Sequence, residues 1–166
     1  MKIVVDAMGG DHAPNVVVDG AVQAARDLRL EIVLAGQRDA IQAELEKHDT
    51  AGLPLTVQHA SDVIVMDEHN PAAAVKAQKD SSMVVGVEMI KQREADAFFT
   101  AGHSGAALAA ALFRLGRIRG IRRPALSTIF PSHTPQGYCF VLDIGANADC
   151  KPEYLVQFAI MGSVYA

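Results

Sequence analysis

Three segments of this chain pass from a short apolar run, through a glycine-bearing polar loop, into a helix-like pattern. They are Ile3-Val4-Val5-Asp6-Ala7-Met8-Gly9-Gly10-Asp11, Ala97-Phe98-Phe99-Thr100-Ala101-Gly102-His103-Ser104-Gly105 and Phe140-Val141-Leu142-Asp143-Ile144-Gly145-Ala146-Asn147-Ala148-Asp149. Repeated strand–loop–helix passages of this kind constrain a chain to an open α/β sheet. There the loops after parallel strands lie along one edge, and ligands bind at that edge. Glycine lets the backbone approach a ligand closely, and the helix N-terminus that follows offers unpaired N–H groups to an anion. The chain reads as built around a site for a small anion, and phosphate is the best match.

The surrounding pattern agrees. Ile3–Asp6 reads as a buried strand, Asn15–Leu28 as a helix, Glu31–Ala35 as a second strand and Arg38–His48 as a charged amphipathic helix. Leu55–His59 reads as a third strand, so the first sixty residues alternate in the manner of a parallel sheet with crossover helices. Ser61–Pro71 is polar and acidic and reads as a loop. A short helix is expected from Pro71 to Lys76 or Lys79, then one from Met83 to Arg93 capped by Ser81 or Ser82. Ala97–Thr100 reads as a strand and Ser104–Leu115 as an alanine-rich helix suited to close packing on the sheet. Ala125–Phe130 and Tyr138–Asp143 read as strands separated by seven residues. That is too short for a parallel crossover, so they form an antiparallel hairpin and make the sheet mixed, mostly parallel.

The final helix starts near Pro152 and is still running at Ala166, with no glycine, proline or basic last turn to stop it. Leu155, Phe158, Ala159 and Gly162 make its expected apolar face. This ending reads as that of a truncated chain, one α/β domain over residues 1–166; a natural C-terminus on a docked helix is the alternative.

Composition narrows the function. With 50% hydrophobic residues the chain has material for a real core, while a net charge of −4 and 5% aromatic residues argue against nucleic-acid binding. Cys139 and Cys150 suggest reduced thiols rather than a disulfide framework. No apolar run approaches the ~20 residues of a membrane span. His12, His48, His59, His69, His103 and His133 show no zinc spacing with the cysteines, and Asp143, Asn147 and Asp149 do not fit a calcium loop.

Asp6-Ala7-Met8-Gly9-Gly10-Asp11-His12-Ala13-Pro14 resembles the opening signature of the bacterial phosphate acyltransferase (PlsX) family of phospholipid synthesis. Lys76-Ala77-Gln78-Lys79-Asp80-Ser81-Ser82-Met83 is similar to that family's basic Ser-Ser segment, and Leu142 to Pro152 to its third signature. The resemblance runs in order along the whole chain. It departs at His103-Ser104, where the family shows Asn-Thr, and family members run well past residue 166.

The resemblance implies a three-layer α/β/α sandwich similar to phosphotransacetylase and the isocitrate dehydrogenase group. It implies a cytoplasmic homodimer that transfers a fatty acyl group from acyl carrier protein to inorganic phosphate, without a cofactor. Peripheral association with the inner membrane face would come through segments beyond residue 166 or a membrane acyltransferase partner. The piece alone is expected to be inactive. A nicotinamide dehydrogenase of related fold and a non-catalytic binding module are the rivals; none of the loops spells Gly-x-Gly-x-x-Gly.

Such a reaction needs phosphate held against a thioester carbonyl and donors for the oxyanion, not a nucleophile–base pair. Gly102-His103-Ser104-Gly105 is the first candidate for that contact, the structural alternative being a tight turn with Ser104 as N-cap. His103 is the candidate general base, or a solvated loop histidine. Lys76 and Lys79, three apart on one helix face, join Ser81 and Ser82 as candidate phosphate ligands, or make a solvated face followed by a cap. Lys79, Ser104 and His103 are thus the candidate catalytic residues, with Gly9 and Gly10 of the first loop, Asn147 and Lys151 as further binding candidates. Asp6, Asp11, Asp143 and Asp149 would repel phosphate and are read as fixing loop geometry; a magnesium site is the alternative. Arg114, Arg117, Arg119, Arg122 and Arg123 concentrate five of the chain's 15 basic residues and suit docking of an acidic carrier protein, or a helix end complementing its dipole.

Overall fold

The computed structural model describes residues 1–145, 147 and 149–166. Contacts gather into two compact units, Met1–Leu115 and Gly116–Ala166.

The first unit runs β1 (Lys2–Asp6), α1 (Asn15–Leu28), β2 (Glu31–Gly36), α2 (Arg38–Leu45), β3 (Leu55–His59), α3 (Pro71–Ala77), α4 (Ser82–Lys91), β4 (Ala97–Phe99) and α5 (Ser104–Arg114). Its four strands form a wholly parallel sheet in the order β3-β2-β1-β4. Strand alternation sends Val5, Ile32 and Leu34 to one face, where they pack with Val18, Ala21 and Val22 of α1 and Ile41 of α2. Val4, Val33 and Ala35 face the other way, toward Met89 and Ile90 at the end of α4. Helices thus cover both faces, giving three layers. α5 packs on α3 and α4 rather than against the sheet: Ala106, Ala109 and Ala110 bury with Val75, Met83 and Val87.

Local chemistry sets the ends. α3 begins with Pro71 in its first turn and Asn70 accepting from Ala73 N. The Ser81 hydroxyl accepts from Val84 N and caps α4. α2 stops at Leu45, three residues short of the expected end, where one-turn hydrogen bonds close the chain at Lys47 and His48.

The second unit holds β5 (Ser127–Pro131), β6 (Tyr138–Leu142) and α6 (Pro152–Tyr165). The two strands pair antiparallel, Ser127 opposite Leu142 and Pro131 opposite Tyr138. The hairpin stands as a two-stranded sheet of its own instead of extending the parallel one. α6 lies on β6 with Phe158 buried, Gly162 against Leu142, and Tyr165 stacked on Phe140 at 4.7 Å between ring centroids. Leu155 and Ala159, expected on the buried face, are exposed. The helix is apolar all round, so its periodicity does not select a face.

Candidate functional site

β1 and β4 are neighbours, so the loops that leave their C-terminal ends meet. Asp6, the last residue of β1, is 1% exposed. Its Oδ2 accepts from Thr100 Oγ1 at 2.8 Å and its Oδ1 from Met8 N at 3.2 Å. Thr100 Oγ1 in turn accepts from Gly102 N at 2.9 Å. One carboxylate therefore ties the first glycine loop to its own strand and, through a hydroxyl, to the second loop.

The glycines are there because the loops touch. A Cβ on Gly9 would stand 2.5 Å from Asp6 Oδ2 and 2.8 Å from Thr100 Oγ1. One on Gly102 would stand 3.2 Å from the Cα of Gly9. Gly10, at φ +113°, faces the carbonyl and methyl of Ala101. Asp11, next in line, is exposed in the turn that leads to α1.

The second loop delivers the N-terminus of α5. His103, not Ser104, is its N-cap: Nδ1 accepts from Ala106 N at 3.3 Å. Nε2 lies 3.1 Å from the carbonyl oxygen of Glu68. With Nδ1 accepting, the carbonyl beside Nε2 is matched by an N–H on that side of the ring. Both ring nitrogens thus contact backbone groups, where the sequence offered a general base or a solvated loop histidine. Ser104, the first helical residue, is exposed. Helix geometry gives the amides of Ser104 and Gly105 no carbonyl partner within the helix, so they are natural anion donors. Gly105 is tight against the His103 ring and Pro71, which brings the start of α3 to the same rim.

The basic segment departs from its expected arrangement. α3 ends at Ala77, so Lys76 and Lys79 do not share a helix face. Lys76 Nζ sits 4.7 Å from the ring centroid of Phe113, a cation–π contact. Lys79 lies in the following turn and lines a cavity of about 400 Å³ with Gln58, Glu88, Glu94 and Arg114. Ser81 and Ser82 are fully buried, and Ser81 uses its hydroxyl as a cap, so in this conformation neither presents itself to a ligand. Asp80 instead accepts from both Ser61 N (2.9 Å) and Ser61 Oγ (2.6 Å), which holds its carboxyl below the usual range.

In the second unit Asp143, at φ +65°, accepts from Asn147 Nδ2 at 2.9 Å and from the Cys150 thiol at 3.2 Å. Asn147 also donates to the Pro124 carbonyl. Ala146 and Ala148 of this loop lie outside the described residues. The hydrogen bond to Asp143 pushes the Cys150 thiol upward, away from the thiolate. Asp149 and Lys151 are exposed, Lys151 just before Pro152 of α6. The arginine run is partly engaged at home. Arg117 donates to the Arg122 carbonyl, Arg122 pairs with Glu153 at 3.1 Å, and Arg123 lies over the Tyr154 ring. Among the described residues no cluster of His, Cys, Asp and Glu is placed to hold a metal ion.

The profile of the family described as fatty acid synthesis protein matches residues 1–166. The chain belongs to this family. Across its full length it is 55% identical to a phosphate acyltransferase of Herpetosiphon aurantiacus, covering 44% of that relative. It is 53% identical over 167 aligned residues to the phosphate acyltransferase of Geotalea daltonii, covering 47% of it. The chain thus spans about half the length of the curated relatives it matches. The fold is similar to that of a phosphotransacetylase from Streptococcus pyogenes, with a TM-score of 0.70, 20% identity, and coverage of 96% of this chain and 51% of that one.

In this member of the fatty acid synthesis protein family, sequence reasoning named Asp6, Gly9, Gly10, Gly102, His103, Ser104 and Gly105, and the fold gathers them on one rim. Asp143, Asn147, Asp149 and Lys151 belong to the second unit. Thr100 and Glu68 were missed. A β-branched residue at a strand end reads as more strand, although its place two residues before a glycine was the available signal. Glu68 acts through its carbonyl, which leaves no trace in the sequence.

Proposed function

We propose that the protein is a phosphate acyltransferase that moves an acyl group from an acyl-carrier-protein thioester to inorganic phosphate. A phosphate oxygen attacks the thioester carbonyl carbon. The C–O bond forms, the C–S bond breaks, and the carrier thiolate leaves and takes a proton from solvent. The observation that carries this reading is the Asp6–Thr100–Gly102 chain, which fixes two glycine loops beside the first amides of α5. Fixed donors of this kind suit both a bound phosphate and a developing oxyanion. The names of the relatives point the same way. No adjacent nucleophile and base is needed, because phosphate is itself the nucleophile, and the raised Cys150 thiol fits that economy.

In this reading Ser104 and the amides of Gly102–Gly105 hold phosphate or the oxyanion, and Lys79 contributes positive charge. Gly9 and Gly10 shape the floor. Ser81, Ser82 and His103 serve by placing helix starts, Lys76 by anchoring α3, and Asn147, Lys151 and the four aspartates by fixing loops or, for Lys151, meeting the substrate. The working protein is read as a cytoplasmic homodimer, peripheral to the inner membrane face, that docks carrier protein through Arg119 and its neighbours. No helix among the described residues is long and apolar enough to cross a membrane.

The test is acyl phosphate formation by the full-length protein, trapped as hydroxamate, from acyl-carrier-protein thioester. Product that depends on phosphate supports the reading. Enhanced NADH fluorescence on mixing, without acyl transfer, would favour the dehydrogenase instead.

A further inference from the structure

One imidazole, that of His103, joins two parts of the first unit that the sheet keeps apart. β3 and β4 are the two edge strands, so three strand spacings, about 14 Å, separate them. The loop over residues 60–70 leaves β3 and yet reaches the start of α5, where the Glu68 carbonyl lies 3.1 Å from His103 Nε2. The first part of this loop is well fastened. Ser82 N donates to the Asp62 carbonyl, and Ile64 is buried among residues of α3, α4 and α5. Over Val65–His69, among the described residues, the contact with His103 is the one hydrogen bond to a residue outside the loop. Val65 and Met66 stand 53% and 42% exposed. Glu68 Oε1 also accepts from the amide of Asn70, the N-cap of α3, so the same contact bears on the start of that helix.

The other ring nitrogen serves a different group. Nδ1 accepts from Ala106 N, and the His103 carbonyl accepts from Ala107 N. The amides of that turn left for an anion are those of Ser104 and Gly105. A Cβ on Gly105 would stand 3.0 Å from His103 Cε1 and 3.2 Å from Pro71 Cγ, so the ring is packed tightly beside these donors.

We propose that His103 is a positioning residue with two separable duties: Nδ1 sets the phosphate donors of α5, and Nε2 holds the Val65–His69 segment where the acyl donor is received. The inference rests on the acyltransferase reading and deepens it. A phosphate ion is small enough to be held by the rim amides alone. An acyl-carrier thioester is far larger and extends beyond them, and the segment tied at Glu68 is the neighbouring part of the rim.

Two substitutions in the full-length protein separate the duties. Asparagine carries an acceptor at the δ position and caps helices well, but is too short to reach Glu68; glutamine carries an amide N–H at the ε position and caps poorly. His103→Gln should raise the KM for phosphate about fivefold, the worth of one N-cap, and leave the acyl-donor KM within about twofold. His103→Asn should do the reverse, raising the acyl-donor KM about fivefold, the worth of one neutral hydrogen bond. If each variant changes both KM values in proportion, or neither changes any, the proposal is overturned. A protease that cuts after acidic residues gives a readout free of catalysis. Mass spectrometry should find cleavage after Asp67 or Glu68 faster in His103→Asn than in the wild type, and unchanged in His103→Gln. Should the wild type form no acyl phosphate, the acyltransferase reading fails on its own, and this cleavage then decides the loop tie: faster in His103→Asn alone it stands, equal in all three proteins it falls.

Discussion

Thr100 joins the two glycine loops through a single oxygen, so replacing that oxygen isolates what the junction is worth. Thr100→Val keeps the shape and removes the hydroxyl. Asp6 Oδ2 loses a donor at 2.8 Å while remaining buried, and Gly102 N loses an acceptor at 2.9 Å. A hydrogen bond to a charged group contributes about 1.5–3 kcal/mol and an ordinary one about 1 kcal/mol, so the expected loss is about 2.5–4 kcal/mol. At about 2–4 °C per kcal/mol for a chain of this size, Tm should fall by roughly 5–16 °C. Thr100→Ser is the control. It keeps both hydrogen bonds and loses a methyl, worth about 1 kcal/mol. The assay is thermal unfolding of the three proteins followed by circular dichroism, with the KM for phosphate measured on the same substitutions in the full-length protein. Valine should lower Tm well below serine and raise the phosphate KM more than the acyl-donor KM. If valine and serine melt within about 2 °C of each other, the Asp6–Thr100–Gly102 chain is not what fixes the loops.

In the full-length protein, Ser104→Ala and Lys79→Ala should each raise the KM for phosphate about tenfold or more, since a charge-assisted bond contributes about 1.5–3 kcal/mol, and should affect acyl-donor KM less; initial rates with each substrate varied will show it. Asp80 is held below its ordinary range by the Ser61 hydroxyl and amide, so its contribution is complete above its unfolded pKa and is lost as pH falls through the lower folded value. Asp80→Asn should therefore melt below wild type at neutral pH and match it in strong acid, as pH-resolved melting curves will show. The Cys150 thiol, raised first by its hydrogen bond to Asp143, should react slowly with iodoacetamide at pH 8, and Asp143→Asn should speed that reaction, as site-resolved mass spectrometry will show.

Most of the first unit could be read from the sequence because one periodicity governs each segment. Val16 to Leu28 repeats at helical spacing, and the observed α1 has the expected bounds, Asn15–Leu28. Leu55–His59 likewise forms β3 as expected, and in the second unit the short span between two strands forces the hairpin. The sequence pattern misleads where a side chain does something unusual for its type. Serine is the commoner N-cap, so Ser104 drew the assignment that the His103 imidazole holds. Lys76 and Lys79 share a face only on a helix that continues to Lys79, and α3 stops at Ala77. In α6 an apolar surface on every side hid which residues face β6. The candidate rim was legible as glycines; its central hydroxyl on Thr100 was not, because the tie spans 94 residues of sequence.

The most direct test of the account follows the oxygen atom. The full-length protein is incubated with an acyl-carrier-protein thioester and phosphate labelled throughout with heavy oxygen. The acyl phosphate is then hydrolysed with attack confined to phosphorus, and the protein is quenched during turnover for intact mass. Direct attack by phosphate predicts one heavy oxygen in the released carboxylate and unmodified protein at every time point. A covalent acyl adduct on any residue, competent to pass its acyl group to phosphate, would contradict the account.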